Sequence, residues 1–599
     1  MSVLETPRIY FKGEISWDPI VTNNYAQFYD EETALPVLPN AQTVAGQVQQ
    51  FREEAIQSVG TAGGTLTWNP DGTHRSAFYD TSVGKVDLGK GPEDDAFTTS
   101  PANFLGMLVD LEPYGTLSSQ LFFDTMTFGI EGGCRIKARR RFRMTVRYIN
   151  FFRARPGYRA GIASAVWQTS FPKQDLQIDA FDSKVLQKLQ TAMLDDDVLG
   201  ITVQWNAWRT IYYNDFNIID QKVLDAHADD LLKKLEGGGF QPNPARGQLV
   251  GVIGLWRKGE PVHEPCDRVL IPGPDAKNGY PTIMTVHARL GDGSVTLDLS
   301  NAVSETGDTM QKHDFGELTL VAVDSSGTET TLGSFGFDRY DTPAYDATSG
   351  IITLAIDAQQ LEAAQTADLQ LRDASGKILL AEDPIRILPL MPNLYLDAGD
   401  ETVARFQVYD RGVPAGAGID VTMCVISSDG GTLDNTFALT SDADGIVSFP
   451  IHSRVAGIHA YVPLVGANAV MPPGGINPEV NTYMYLRTLP DNEDIGALAP
   501  TWDNVYSYVL ADWNAMAPCM DNWLDLQNEA QVRSYAGLIK KLTDPAAFEN
   551  YRYMPVTRDL TRGERTLLYG FLDSPPMMLK ATAEEEEPPD FAALNREMR

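Results

Sequence analysis

The sequence predicts a multidomain, mainly β protein with some α: a mixed β-rich N-terminal domain, two β-sandwich, immunoglobulin-like units and a C-terminal helical segment. Three observations predict it. A chain of 599 residues is too long for one core and corresponds to roughly three to five domains. Hydrophobic residues make up 43% of it, enough to fill ordinary globular cores. Apolar residues alternate with period two through the middle of the chain, and helical spacing dominates only after about residue 500.

The N-terminal domain is expected over residues 1–275. Its apolar-aromatic runs "PRIYFKG", "SQLFFDTMTFGI" and "LGITVQWNAW" read as strands. Two helices interrupt them. In "DSKVLQKLQTAML", Leu186, Leu189 and Met193 share a face behind the cap candidates Asp182 and Ser183; in "DQKVLDAHADDLLKKLEGGG", Val223, Leu224, Leu231, Leu232 and Leu235 do so, and Gly237 ends the pattern.

A β-sandwich is expected over 280–390, where Val295, Leu297 and Leu299 alternate with Thr296 and Asp298 after the turn "GDG". An immunoglobulin-like sandwich follows over 393–490, with Ala404, Phe406 and Val408 on one strand, Val421, Met423 and Val425 on another, and turns at "DRGVPAG" and "DADG". The helical segment spans 500–580. Pro518 interrupts its first helix, and Thr561 and Glu564 form a capping box ahead of Leu567, Leu568 and Phe571. An acidic, proline-containing tail occupies 581–599.

Lys plus Arg number 48 against 80 Asp plus Glu, a net charge of −32. A field of that sign repels phosphate backbones, so nucleic acid is excluded as an expected partner. No apolar run is long enough for a membrane segment, the first residues lack the apolar core of a secretory signal, and the cytoplasm is the expected location. Four scattered cysteines form no C-x-x-C pair.

The stretch "CRIKARRRFRMTVR" stands out in so acidic a chain. As one extended strand it points Arg135, Lys137, Arg139, Arg141, Arg143 and Arg147 one way and Ile136, Ala138, Phe142, Met144 and Val146 the other. Neighbouring acidic groups can neutralise such a face; alternatively it binds carboxylates, which guanidinium groups grip in pairs of hydrogen bonds. Asp195, Asp196 and Asp197 follow a predicted helix C-terminus, where the dipole disfavours negative charge. Asp195 and Asp197 are weak metal candidates, set against a solvated turn that pairs with basic groups. His263, near Cys266, is the nearest approach to a metal-ligand set, and a lone histidine is usually structural. Trp205, Trp208, Tyr212 and Tyr213 offer faces for an indole or a sugar, or pack a core. No local motif nominates a catalytic residue, so the catalytic set is unknown at this stage.

Five stretches, "PRIYFKGEISW", "LDDDVLGITVQW", "GVIGLWRKGEP", "NLYLDAGDE" and "YRYMPVTRDLTRGERTLLYGFL", occur in an order that resembles the iminophenyl-pyruvate dimer synthase and chromopyrrolate synthase family of the violacein, rebeccamycin and staurosporine routes. The resemblance implies oxidative coupling of two tryptophan-derived imines, of the indole-3-pyruvate imine type, by enzymes described as haem-containing. It further implies a ferritin-like bundle after the matched region, which this sequence does not show. Two expectations follow. The chain is an accessory, substrate-orienting subunit with a ferritin-like partner, or a non-enzymatic module that self-assembles or, as a secreted or toxin component, recognises a protein or carbohydrate.

Overall fold

The computed structural model describes residues 1–16, 29–30, 32–36, 75–109, 120–150, 160–213, 246–273, 283–291, 293–306, 311–427, 433–472, 477, 480–516 and 524–574. The second predicted N-terminal helix, Pro518 and the acidic tail lie outside the described residues.

Eight strands of the first unit close on themselves: β1 (Arg8–Ser16), β2 (Arg75–Asp87), β3 (Ala102–Val109), β4 (Gln120–Gly129), β5 (Phe142–Asn150), β6 (Ala160–Pro172), β7 (Val198–Tyr213) and β8 (Arg246–Arg257). Each pairs antiparallel with its neighbour in this order, and β8 returns to β1 with Ile9 opposite Ile253. These eight strands therefore form an up-and-down barrel, which leaves none of them at an edge.

The period-two pattern decides what fills it. On β7, Ile201, Val203, Trp205 and Ala207 join the barrel core with Ile9, Phe11, Phe123, Phe128, Phe142 and Trp167. Trp167 and Trp205 stack at 5.4 Å, and Phe11 meets Phe128 edge-on at 4.9 Å. Phe11 lies across Gly251 of β8, where a Cβ would come within 2.2 Å of the ring. The helix Lys184–Ala192 forms as its spacing predicts, capped by Ser183, and adds Val185, Leu186 and Leu189 to the same core.

The second unit is one continuous eight-stranded sheet around a single core. Its strands are β9 (Arg268–Pro272), β10 (Val286–Gly291), β11 (Ser294–Asp298), β12 (Leu318–Val323), β13 (Glu329–Phe335), β14 (Ile351–Ala355), β15 (Asp368–Asp373) and β16 (Ile378–Asp383). It takes in β9, ahead of the expected start at 280, because Val269 pairs with both His287 and Asp383.

The third unit is a two-sheet sandwich. One sheet holds β17 (Ile385–Pro389), β19 (Glu401–Asp410), β22 (Ile446–His452) and the two-residue strand Val413–Pro414. The other holds β18 (Asn393–Asp397), β20 (Asp420–Ser427), β21 (Leu433–Thr440), β23 (Gly457–Val465) and β24 (Met484–Leu489), with β18 and β24 parallel. Ala404, Phe406 and Val408 meet Val421, Met423 and Leu486 between the sheets, as their alternation predicts.

Helices between Glu493 and Asp573 form the last unit around Val505, Val532, Ile539, Leu567 and Phe571. The capping box closes as expected: Glu564 N donates to Thr561 Oγ1, and Thr561 N donates to Glu564 Oε2 at 2.9 Å. Among the described residues no helix is long and apolar enough to cross a membrane.

Two substitutions test this architecture. Gly251→Ala is expected to cost about 1–3 kcal/mol in urea unfolding because Phe11 cannot move aside, whereas Gly273→Ala, with open space around it, leaves stability unchanged. In the helical unit, burial pushes Asp512 up to about 7 and Glu564 up to about 8, with repulsion from Asp559 adding to both. The folded state thus keeps protons that the unfolded chain has released, so stability falls as pH rises from about 4 toward 8. Thermal melts of Asp512→Asn are expected to show a shallower decline over that range.

Candidate functional site

The basic stretch is not one strand. Arg135–Ala138 pairs with β4 and with Leu176–Asp179, the chain breaks at 139–141, and β5 starts at Phe142. The break separates the six predicted anion ligands. Arg135 pairs with Asp179 at 2.8 Å and Arg141 with Asp124 at 2.9 Å; Arg140, outside the six, reaches Asp175 at 2.8 Å. Lys137 is half-buried and Arg139 exposed. Arg143 and Arg147 point out of the barrel wall into its contacts with the other units. Arg143 reaches Gln120 at 3.0 Å and Glu549 at 3.4 Å.

Arg147 enters a buried network. Its Nε lies 3.3 Å from Glu264 Oε2, and its guanidinium covers the Tyr483 ring at 4.8 Å. Glu264 also accepts from the Tyr148 hydroxyl at 3.2 Å, and that hydroxyl accepts from Arg386 at 2.7 Å. Tyr148 has φ of +51°, an unfavoured conformation for a bulky side chain, at a bulge where the β5–β6 register shifts. The bulge turns its ring outward, where it meets His287 edge-on at 4.8 Å. Burial raises the Tyr148 hydroxyl, so it stays protonated and donates.

The two candidate tryptophans pack rather than open. Trp205 is inside the barrel, its Nε1 3.0 Å from Met144 Sδ. Trp208, on the outer face, meets Tyr345 edge-on and carries the Lys312 ammonium 4.4 Å above its ring. Tyr212 lies opposite Gly161 on the β6–β7 ladder, and its side chain is outside the described residues. Asp195 and Asp197 pair with Arg257 at 3.4 and 3.1 Å, and Asp195 is held below the usual carboxylate range by the Asp197 backbone amide first and Arg257 next. Burial first, with repulsion from Arg143 and Arg147, lowers His263 to about 3, leaving it neutral. Among the described residues no group of three His, Cys, Asp or Glu is placed to hold a metal ion.

What sequence reasoning missed is a cleft of about 620 Å³ where three units meet. The barrel contributes Arg257, Lys258 and Glu260, the second unit Arg268 and Arg289, and the sandwich the turn Asp410–Arg411–Gly412. That turn seats closely: Gly412 has φ of +79°, and a Cβ there would stand 3.0 Å from the Arg268 amide nitrogen. Arg289 holds Glu5 at 2.8 Å, and Arg411 holds Asp368 at 2.6 Å and Asp410 at 2.8 Å. Lys258 has no acidic partner among the described residues. Cations and carboxylates alternate around the wall, in a volume suited to a small ligand and at the kind of domain junction where such sites concentrate. The ion pairs of Arg289 and Arg411 are partly solvated, so each is weak, and a ligand carboxylate can replace one at little cost. Among the described residues the lining contains no histidine or methionine, and burial raises its one thiol, Cys266, so these residues do not fit a haem with its axial ligand.

No family model matches the chain. It is similar to the 2-imino-3-(indol-3-yl)propanoate dimerase of Chromobacterium violaceum, 25% identical over 429 residues that cover 65% of this chain. The match covers 35% of that protein, so the chain spans about a third of the relative's length. Among solved structures, a β-glycosidase from Bacteroides vulgatus matches 35% of this chain and 25% of its own at 10% identity and a TM-score of 0.13. A Salmonella alpha-2-macroglobulin reacted with methylamine matches 65% and 26% at 10% identity and 0.14. Neither score carries an argument.

The two halves of the basic stretch are expected to respond differently to substitution. Arg147→Met strands Glu264 and is expected to cost about 3–5 kcal/mol in denaturant unfolding. Arg139→Gln, on the exposed segment, is expected to stay within about 0.5 kcal/mol of the parent.

Proposed function

We propose that this chain is a substrate-orienting β-rich subunit that binds a tryptophan-derived imino acid in the three-unit cleft. The observation that carries the reading is the 429-residue similarity to a protein named for dimerising 2-imino-3-(indol-3-yl)propanoate. The cleft supports it chemically. A ligand with a carboxylate beside a protonated nitrogen needs a cation and an anion a few ångströms apart, and the wall supplies such a pair in Arg411 with Asp410 and a further cation in Arg289. Arg289 and Arg411 are assigned to the ligand carboxylate, and Asp410 to its nitrogen. Val413 and Pro414 give the ring system an apolar edge. In this reading the chain binds and orients, and a ferritin-like partner supplies the oxidative coupling.

Calorimetric titration with L-tryptophan, a stable compound with the same carboxylate and a charged nitrogen, tests the cleft. Saturable binding is expected, with Arg289→Gln and Arg411→Gln each weakening it about tenfold, equivalent to about 1.4 kcal/mol. Titration with 3-indolepropionate, which lacks the charged α-nitrogen, is expected to give weaker binding that Asp410→Asn does not change. Absence of heat with L-tryptophan, or binding that both arginine variants retain in full, overturns the assignment.

A further inference from the structure

Among the described residues, β21 is the longest strand that ends a sheet. The barrel has no edge because β8 returns to β1. In the second unit the terminal strands β13 and β14 approach each other, with Gly333 against the Leu354 side chain. In the sandwich, β22 carries Pro450, a residue that blocks strand addition. β21 is different. It is an eight-residue terminal strand, "LDNTFALT", with no proline, lysine or arginine, and it is exposed at most of its positions. Its inner side pairs with β20, Phe437 opposite Met423 and Leu439 opposite Val421, and among the described residues no strand pairs with its outer side.

We propose that the outer edge of β21 pairs with β21 of a second copy of this chain, antiparallel about a two-fold axis perpendicular to the sheet. Residues opposite each other in such a pair lie on the same face, which allows only registers that join odd positions to odd and even to even. Centred on Phe437, the register sets Phe437 against its own copy, Thr436 against Ala438, Asn435 against Leu439 and Asp434 against Thr440. Phe437 and Leu439 are half-buried on the side of the sandwich core, and a second strand covers their remaining surface. The pairing also avoids like charges. Asp434, the strand's only charged residue, faces a threonine and lies 3.9 Å from His459 of its own sheet. That matters for a chain of net charge −32, which repels its own copy everywhere that acidic groups face one another. An isologous contact of this kind closes at two copies and joins two five-stranded sheets into one.

Sedimentation equilibrium on the full chain tests the pairing, at two salt concentrations. A monomer–dimer equilibrium is expected that tightens as salt screens the repulsion. Ala438→Glu places a carboxylate diagonally across from Asp434 of the other copy and from its own counterpart, and is expected to weaken the dimer at least tenfold. Because Ala438 is exposed, the thermal midpoint of the monomer stays unchanged and shows that the variant is folded. A chain that stays monomeric at every concentration overturns the proposal, as does a dimer that Ala438→Glu leaves intact. A monomer that instead captures a basic extended peptide along β21 also overturns it.

Discussion

Everything in this molecule depends on a barrel wall that is buried on both sides. A strand has two faces, and where one lines an apolar core the other usually meets water. Here the outer face of β5, β6 and β7 meets other units, so its polar residues must find protein partners or pay a desolvation cost. They find them. Gln204 donates to Asp298 at 2.5 Å, Ser164 bridges Asn206 and Asn301, and Arg147 meets Glu264. Burial raises Asp298, whose hydrogen-bond partners Gln204 and Ser300 are both neutral, and so favours its protonated form. These contacts fix how the second and third units sit on the barrel, and so they fix the cleft.

The buried network and the cleft use similar side chains for opposite ends. Arg147 and Arg386 are enclosed, and their bonds to Glu264 and Tyr148 are costly to break, so they hold geometry. Arg289 and Arg411 are part-exposed, and their ion pairs exchange cheaply with a ligand or with water. A rigid frame with a labile lining is the arrangement a binding site requires. The strained Tyr148 belongs to the frame: its bulge turns the hydroxyl outward to where two units meet.

Much of this was legible in the sequence because it is local. The alternation of "LGITVQW" marks which residues of β7 enter the core, the Ser183 and Thr561 caps mark where helices begin, and the alternation of Ala404, Phe406 and Val408 marks a sandwich strand. Barrel closure was not legible, since it joins residues 9 and 253, and no local pattern encodes that pairing. The cleft was hidden for the same reason, being drawn from residues near 258, 289 and 411. The basic stretch misled because alternation by itself does not reveal the break at 139–141, which parts Arg135 from Arg143. Trp205 and Trp208 follow the commoner rule that aromatics in β-rich proteins pack.

The central claim is that the three-unit cleft holds a small molecule with adjacent opposite charges. Hydrogen–deuterium exchange of the whole chain, with and without saturating L-tryptophan, tests it most directly because it reports where a ligand acts. Slowed exchange confined to the segments around 257–268, 286–291 and 409–414 is the predicted result. Protection that falls elsewhere, or none at all under saturating ligand, would contradict it.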